Sequence, residues 1–463
     1  LRFDNLGAAP LWYDEAFTDL ATALPLPRMM QALAGDVHPP AHYLMLWGIQ
    51  GLGLDGPWGL RLLSALFSLG SVLLAGWLSR EITGSRTAQL ITVFLMACNP
   101  MNLHYAQEAR MYALLQLLVL LGMLAIYRRS WILLGASTWI LLLTHTYGLF
   151  YAASLALVAL VAAREHWRKW IPAFGLAGIG WLPWAWIMAQ QMLHLQSSGY
   201  WIQPISAGRI ISILSKMFFS FAMPNGMELG GMIGIGAALT YLGYWLVTKF
   251  RDSKDSQGWM ILLIMALLPI LLALLASWIY RPVLLFRPLI ACLPFLLILF
   301  AALLSSLERP AQIGLAILLI PGMLGLSYGY HKYNLINKSD SSIWIKEIRE
   351  GWEPGDIVYT LNDSAALALL HQAPDLPSYK MPDCPDQASL GALTDQTREA
   401  LGIRELARDE LVVRAWVVVS VSPVSPACEV EAAEQFALEG EQVRNIHVSD
   451  FVDAGVYLAG GSN

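Results

Sequence analysis

From residue 58 to residue 329, long apolar runs alternate with short loops, several of them rich in Lys and Arg. Stretches of roughly 17–25 nearly uncharged residues are long enough to cross a bilayer as helices. About ten are legible: 58–79, 87–103, 110–127, 131–145, 147–163, 170–190, 228–248, 259–279, 284–306 and 311–329. Ahead of them, WYDEAFTDLATAL places Trp12, Ala16 and Leu20 on one helical face, and HPPAHYLMLWGIQGLGL begins a second short helix with prolines in its first turn. Both are too short to cross, which suits helices lying in the membrane interface. Behind the spans the pattern becomes that of a soluble domain: helices in SDSSIWIKEIREG, SAALALLHQ and VEAAEQFALEG, and strands in DIVYTL, LVVRAWVVVSV, VRNIHVSD and AGVYLAG. The chain is therefore expected to comprise a first external region over 1–57, a transmembrane domain over 58–329 and an α/β domain over 330–463.

Loop charge orients this arrangement. Arg80 and Arg86, Arg128 and Arg129, Arg164, Arg168 and Lys169, Lys249, Arg251 and Lys254, and Arg309 fall on alternate connections. The positive-inside rule makes that side cytoplasmic. The other side holds WYDEAFT, HYAQEARMY, the HTY turn, the loop 191–227, YRPVLLFR and everything after Tyr330. The expected fold class is a polytopic α-helical membrane protein with a C-terminal extracytoplasmic α/β domain. Its place is the plasma (inner) membrane, among membrane lipids. The chain opens with Leu on a polar segment, which implies a further span ahead of residue 1.

Composition agrees: 56% of the 463 residues are hydrophobic and 14% charged, with mean hydropathy +0.52. Soluble domains carry roughly 25% charged residues. No dense basic patch marks a nucleic-acid partner. Cys98 and Cys292 lie in apolar runs, whereas Cys384 and Cys428 lie in the tail, in an oxidising compartment, and are expected to form a disulfide.

The polar side chains collect on the external side. Asp14, Glu15, Asp36, His38 and His42 stand in the first region; Glu108, Arg110 and Tyr112 at the junction of two spans; His145 in the HTY turn; Arg281 and Arg287 around the entry to another span. Each has a plain structural reading. Asp14 can cap a helix, Glu15 can favour the helix dipole, and Glu108 and Arg110 can pair locally. Arg281 and Arg287 can snorkel to headgroups, His38 can be an ordinary interfacial residue, and His145 can cap a span end. Their convergence on one side favours a functional site. Charge at mid-span would cost about 2.5–3.5 kcal/mol or more per residue, and its scarcity here argues against an ion-coupled transporter.

WYDEAFT, DVHPPAHYLML, GLRLLSALFSLGSVLL and YAQEARMYALL, in that order, resemble the membrane glycosyltransferases of the GT-C fold. The resemblance is to the family 39-like group of protein O-mannosyltransferases, aminoarabinose transferases and lipopolysaccharide-core galacturonosyltransferases. It covers about residues 8–330 in layout, with specific motifs in about the first 115. The group's late Arg-Tyr motif stands here as FRPLIACLP, with Pro288 in the Tyr position. The resemblance implies inverting transfer of a sugar from a polyprenyl-phosphate carrier to an acceptor hydroxyl of a glycan, lipid or protein. It implies Asp14 as general base, with Glu15 positioning it or the acceptor. Arg110, Arg287 and Arg281 would grip the donor phosphate, and His38, Glu108, Tyr112 and His145 would shape the sugar and acceptor pocket. No nucleotide-binding fingerprint is present, which agrees with a lipid-linked donor. Asp14, Glu15, Glu108 and His38 offer ligand atoms for a divalent metal, yet no fixed spacing supports one, and cofactor and metal stay unassigned. The competing classes are a lipid-linked glycan flippase and an oligosaccharide ligase or polymerase.

Overall fold

The computed structural model describes residues 1–197, 202, 204–219, 236, 239–248, 256–337, 341–384, 393–411, 413–421, 427–439, 441–449 and 452–459. They fall into two compact units: Leu1–Leu6, Arg61–Trp184 and Ile202–Asn334 form one, and Gly7–Leu60, Ala185–Trp201 and Leu335–Asn463 the other.

In chain order the helices are α1 (Tyr13–Ala23), α2 (Leu26–Gly35), α3 (Ala41–Gly51), α4 (Gly56–Thr83), α5 (Arg86–Cys98), α6 (Pro100–Ala106), α7 (Tyr112–Tyr127), α8 (Trp131–Leu142), α9 (Gly148–Ala162), α10 (Trp167–Ser197) and α11 (Ala207–Phe219), followed by Ser256–Ile279, Leu293–Ser305 and Arg309–Asn337. Among the described residues, Gly56–Thr83, Arg164–Leu193, Ser256–Ile279 and Arg309–Gly329 are long and apolar enough to cross a membrane. Arg86–Cys98, Tyr112–Tyr127, Trp131–Leu142, Gly148–Ala162 and Leu293–Ser305 are shorter apolar helices. The chain is a multi-pass helical membrane protein.

Several expected boundaries move, each for a local reason. The span 87–103 ends at Cys98, because Asn99 turns the chain and caps α6 by accepting from Asn102 N–H at 3.0 Å, with Pro100 opening the new helix. The span 284–306 begins as an irregular segment and a 3₁₀ turn over Arg287–Ala291 before its helix starts at Leu293. Three short helices, not two, precede α4; α2 opens on Pro25-Leu26-Pro27, and proline is tolerated in a first turn. Pro39 and Pro40 come just before α3 rather than inside it. The loop expected over 191–227 contains the end of α10 and all of α11. Of the expected span 228–248, residues 236 and 239–248 are helical, and the remainder lies outside the described residues.

In the unit built from α4 to α9 and the later helices, α7 is buried on nearly every side, packed by α8, α9 and the 3₁₀ turn. Its one polar interior side chain, Gln116, donates to Asn102 Oδ1 at 2.9 Å and to Ile290 O at 2.8 Å. Buried amides persist when their hydrogen bonds are made, and this one ties α6 to the 3₁₀ turn through the middle of a helix.

In the other unit the tail forms a five-stranded sheet in the order β2-β1-β3-β5-β4, from Ser378–Lys380, Ile357–Thr360, Ala415–Val421, Val452–Ala459 and Glu441–Ser449. β1 pairs in parallel with β2 and β3; β5 runs antiparallel to β3 and β4. Side chains alternate across a strand, so Val358, Trp416, Val418 and Val456 meet helices Ser342–Glu350 and Asp363–Gln372 on one face. Tyr359, Val417 and Val419 meet Phe436 and Ala432 of helix Ala427–Glu439 on the other. Strand β2 and helix Asp395–Leu401, too short to show a period, are additions to the expected elements. The helix carries Arg398, which is 4% exposed and donates to Asp363 at 2.9 and 3.0 Å and to Asp383 at 2.7 Å. Burial disfavours its charge, but the two carboxylates outweigh that and hold its pKa above the ordinary arginine range. Burial likewise opposes ionisation of Asp383, yet Lys380 and Arg398 keep its carboxyl below the ordinary range.

Cys384 and Cys428 are joined by a disulfide, with Cα atoms 6.0 Å apart, while Cys98 and Cys292 are buried free thiols. Thiol labelling of the full chain, unfolded without reductant, is expected to modify two cysteines, and four after reduction. Four labelled cysteines before reduction would contradict the bond.

Candidate active site

In the membrane unit, the site grows from the break at Asn99. Helix α6 is followed by an irregular turn, Gln107–Met111, that delivers Glu108 and Arg110, 2% and 3% exposed, to the head of α7. His104, one helical turn before Glu108, pairs with it, Nε2 to Oε1 at 2.9 Å. Ser64 of α4 donates to the carbonyl of Arg110 at 3.3 Å, fixing the backbone of the turn. One turn earlier on α4, Arg61 is fully buried and donates to Leu6 O at 3.0 Å.

Aromatic rings continue from this point. Tyr105 lies 4.7 Å from Tyr112, Tyr112 lies 5.9 Å from His145, and His145 lies 5.5 Å from Tyr147. The N–H of Tyr147 donates to His145 Nδ1 at 3.0 Å, so in the neutral imidazole the proton sits on Nε2. The Tyr147 hydroxyl then donates to Val283 O at 2.7 Å and accepts from Leu285 N–H at 3.2 Å. Ser277 Oγ accepts from the N–H groups of Val283 and Leu284 at 2.9 and 3.1 Å, and the Tyr151 hydroxyl donates to Pro288 O at 2.7 Å. Three hydroxyls therefore hold the non-helical segment that carries Arg281 and Arg287. Fixing its backbone in advance lowers the ordering cost of binding an anion there.

Lys216 of α11 stands over the Phe286 ring, 5.3 Å from its centroid and next in sequence to Arg287. Asn99 Nδ2 donates to Met217 O at 3.3 Å, anchoring α11 at the neighbouring residue. Lys216, His104, Tyr147 and Arg61 were not among the candidates read from the sequence. His104 was discoverable, since HYAQE places it four residues before Glu108, a facing distance on a helix. Lys216 was not, because α11 looked like loop.

In the unit that contains α1, the N-cap of that helix is Trp12, with no side-chain capping bond; Asp14 and Glu15 occupy its first turn. The capping role considered for Asp14 thus does not apply at Trp12's position. A first-turn carboxylate still gains from the helix dipole. Glu15 is fully buried and Asp14 half-buried, so Asp14 is the member of the pair open to solvent. Phe17 of α1 packs edge-on against Tyr43 of α3, which also meets His42. His38 Nδ1 pairs with Asp36 Oδ2 at 2.9 Å in the turn between α2 and α3. Thus Asp14, Glu15, Asp36, His38 and His42 belong to one unit, and Glu108, Arg110, Tyr112, His145, Arg281 and Arg287 to the other. Among the described residues, no three His, Cys, Asp or Glu side chains gather as a metal-binding group.

No protein-family model matches the chain, and no curated protein matches its sequence. Solved structures do. The chain is similar to ArnT from Cupriavidus metallidurans in the apo state, with 13% identity and a TM-score of 0.60 over 98% of this chain and 95% of that one. It is equally similar to ArnT from the same organism bound to undecaprenyl phosphate, with 14% identity and a TM-score of 0.60 over 100% and 97% of the two chains. The chain has the GT-C-like fold, a polytopic helical membrane domain with an α/β region at its C-terminal end.

Proposed function

We propose that the protein is an integral-membrane glycosyltransferase of the plasma membrane that moves a sugar from a polyprenyl-phosphate carrier to an acceptor hydroxyl on the extracytoplasmic face, with inversion. The observation that carries this reading is the segment 281–288, pinned by Tyr147, Tyr151 and Ser277, with Arg281 and Arg287 on it and Lys216 over its Phe286 ring. Cations fixed at a membrane-domain segment suit a lipid-borne phosphate. The fold it shares with an ArnT structure bound to undecaprenyl phosphate supports the same donor class, and the basic residues of the alternate loops support the external placement of the site.

In the reaction the acceptor oxygen attacks the anomeric carbon as the bond from that carbon to the phosphate oxygen breaks. The bonding electrons leave with polyprenyl phosphate, whose growing charge is met by Arg287, Arg281 and Arg110. The hydroxyl proton passes to the Asp14 carboxylate. Buried Glu15 holds the position beside it, and His38, Glu108, Tyr112 and His145 shape the sugar and acceptor contacts. The acceptor is a glycan, lipid or protein hydroxyl.

Transfer from a labelled polyprenyl-phosphate sugar in membranes is expected to fall about 10²–10⁴-fold in Asp14→Asn at normal protein levels. Wild-type turnover in that variant would remove Asp14 as base. Tyr147→Phe deletes the hydroxyl that holds Val283 and Leu285 and is expected to raise the donor KM by about tenfold, the effect of roughly 1.4 kcal/mol, with a smaller change in kcat. An unchanged donor KM would show that this segment does not bind the donor.

A further inference from the structure

Side chains of the tail bond the backbone of α2 and a carboxylate of α1. The last turn of a helix leaves carbonyls with no partner inside the helix. In α2 they are bound from outside. Gln396 donates to Gln31 O at 3.1 Å, Thr397 to Ala32 O at 2.9 Å and Thr394 to Gly35 O at 3.1 Å, all from the tail. Gln191 of α10 donates to Leu33 O at 3.1 Å and Ala34 O at 3.2 Å. Five successive carbonyls are thereby satisfied just before the Asp36–His38 pair. The approach is close: a Cβ on Gly35 would collide with the hydroxyls of both threonines.

The second grip is on α1. Asp19, on the same helix as Asp14 and Glu15, has its two oxygens taken by different elements: Gln50 of α3 donates to Oδ1 at 2.6 Å, and His371 of the tail donates from Nε2 to Oδ2 at 2.8 Å. Both partners of the His371–Asp19 pair are about four-fifths shielded, at 19% and 20% exposure. A hydrogen bond to a charged group in such a position contributes roughly twice what a neutral one does. The junction sits five residues along α1 from Asp14, or about 7.5 Å at 1.5 Å per residue. The threonine and glutamine donors are uncharged, so they specify distance and direction rather than attraction between surfaces.

We infer that His371, acting through Asp19, is a positioning residue for the α1 carboxylates, and that the tail is a structural part of the catalytic platform rather than an appended module. This rests on the reading of Asp14 as the base. Misplacing a catalytic group by about 1 Å can cost as much as 10²-fold in rate, so loss of one of two grips should slow turnover while leaving donor binding, assigned to residues of the other unit, as it was.

The test uses the full chain in nanodiscs, with transfer from a labelled polyprenyl-phosphate sugar. His371→Ala is expected to lower kcat by about tenfold or more with donor KM within about twofold. His371→Gln, whose amide can donate toward Asp19, should recover most of the rate, and Thr397→Val, which weakens the other grip, should lower kcat in the same way. In the Asp14→Asn background, His371→Ala should change the residual rate by less than about twofold, because residues acting as one unit are not additive. Wild-type kcat in folded His371→Ala and Thr397→Val would overturn the inference, as would an undiminished His371→Ala loss in the Asp14→Asn background. Asp14→Asn alone tests the underlying reading: normal turnover removes the base assignment, whereas a slow Asp14→Asn beside wild-type turnover in His371→Ala and Thr397→Val removes the positioning role alone.

Discussion

The constraint behind this structure is the cost of placing charge in hydrocarbon, about 2.5–3.5 kcal/mol per residue even on the more lenient scales. It leaves the span interiors to Leu, Ile, Val and Ala, and it pushes catalytic chemistry to the ends of spans, where helices stop. Every candidate site feature in the membrane unit is such a stop. Asn99 ends α5 and starts α6, the turn after α6 presents Glu108 and Arg110, the turn before α9 presents His145, and the irregular chain before Arg287 delays the helix Leu293–Ser305. Irregular backbone at such places must have its N–H and C=O groups satisfied. Tyr147, Tyr151, Ser277 and Gln116 do this for 283–290. The groups that make an unwound segment tolerable in a membrane domain also hold it still, which is the property a phosphate-binding segment needs.

The other unit solves a different problem. Short helices such as α1 and α2 have few turns over which to build cooperativity, and here α1 carries the carboxylate pair. Their rigidity comes from neighbours: Tyr43 against Phe17, Gln50 and His371 on Asp19, and the tail's threonines on the end of α2. The tail has a packed interior of its own. The two faces of its sheet are filled by alternating residues, and the buried cations Arg398 and Lys380 join buried Asp363 to the more exposed Asp383 and Glu405. Removing Arg398 would leave the buried Asp363 carboxylate without its cation.

Periodicity and loop charge were enough to read the membrane class, the α/β tail and the order of its long strands, because those depend on runs of many residues. The pairing of Glu108 with His104 is written in a four-residue spacing. What could not be read were features that depend on one or two residues meeting across long separations. Gln116 finds its partners Asn102 and Ile290 at 14 and 174 residues' separation, and nothing in its apolar run announces them. Asp19 and His371 are 352 residues apart, and nothing local to either announces the other. Spans were also drawn too long wherever an apolar run continued through a break, as at Asn99–Pro100, since hydropathy records composition and not backbone direction.

The proposed reaction divides labour between a carboxylate on α1 and cations of the membrane domain, and equilibrium binding of polyprenyl phosphate tests that division most directly. Titration of the purified protein with the carrier lipid phosphate should give the same affinity for wild type and Asp14→Asn, and a loss of about tenfold or more in Arg287→Ala, the roughly 1.5–3 kcal/mol of a charge-assisted hydrogen bond. Weakened binding in Asp14→Asn together with unaltered binding in Arg287→Ala would contradict it.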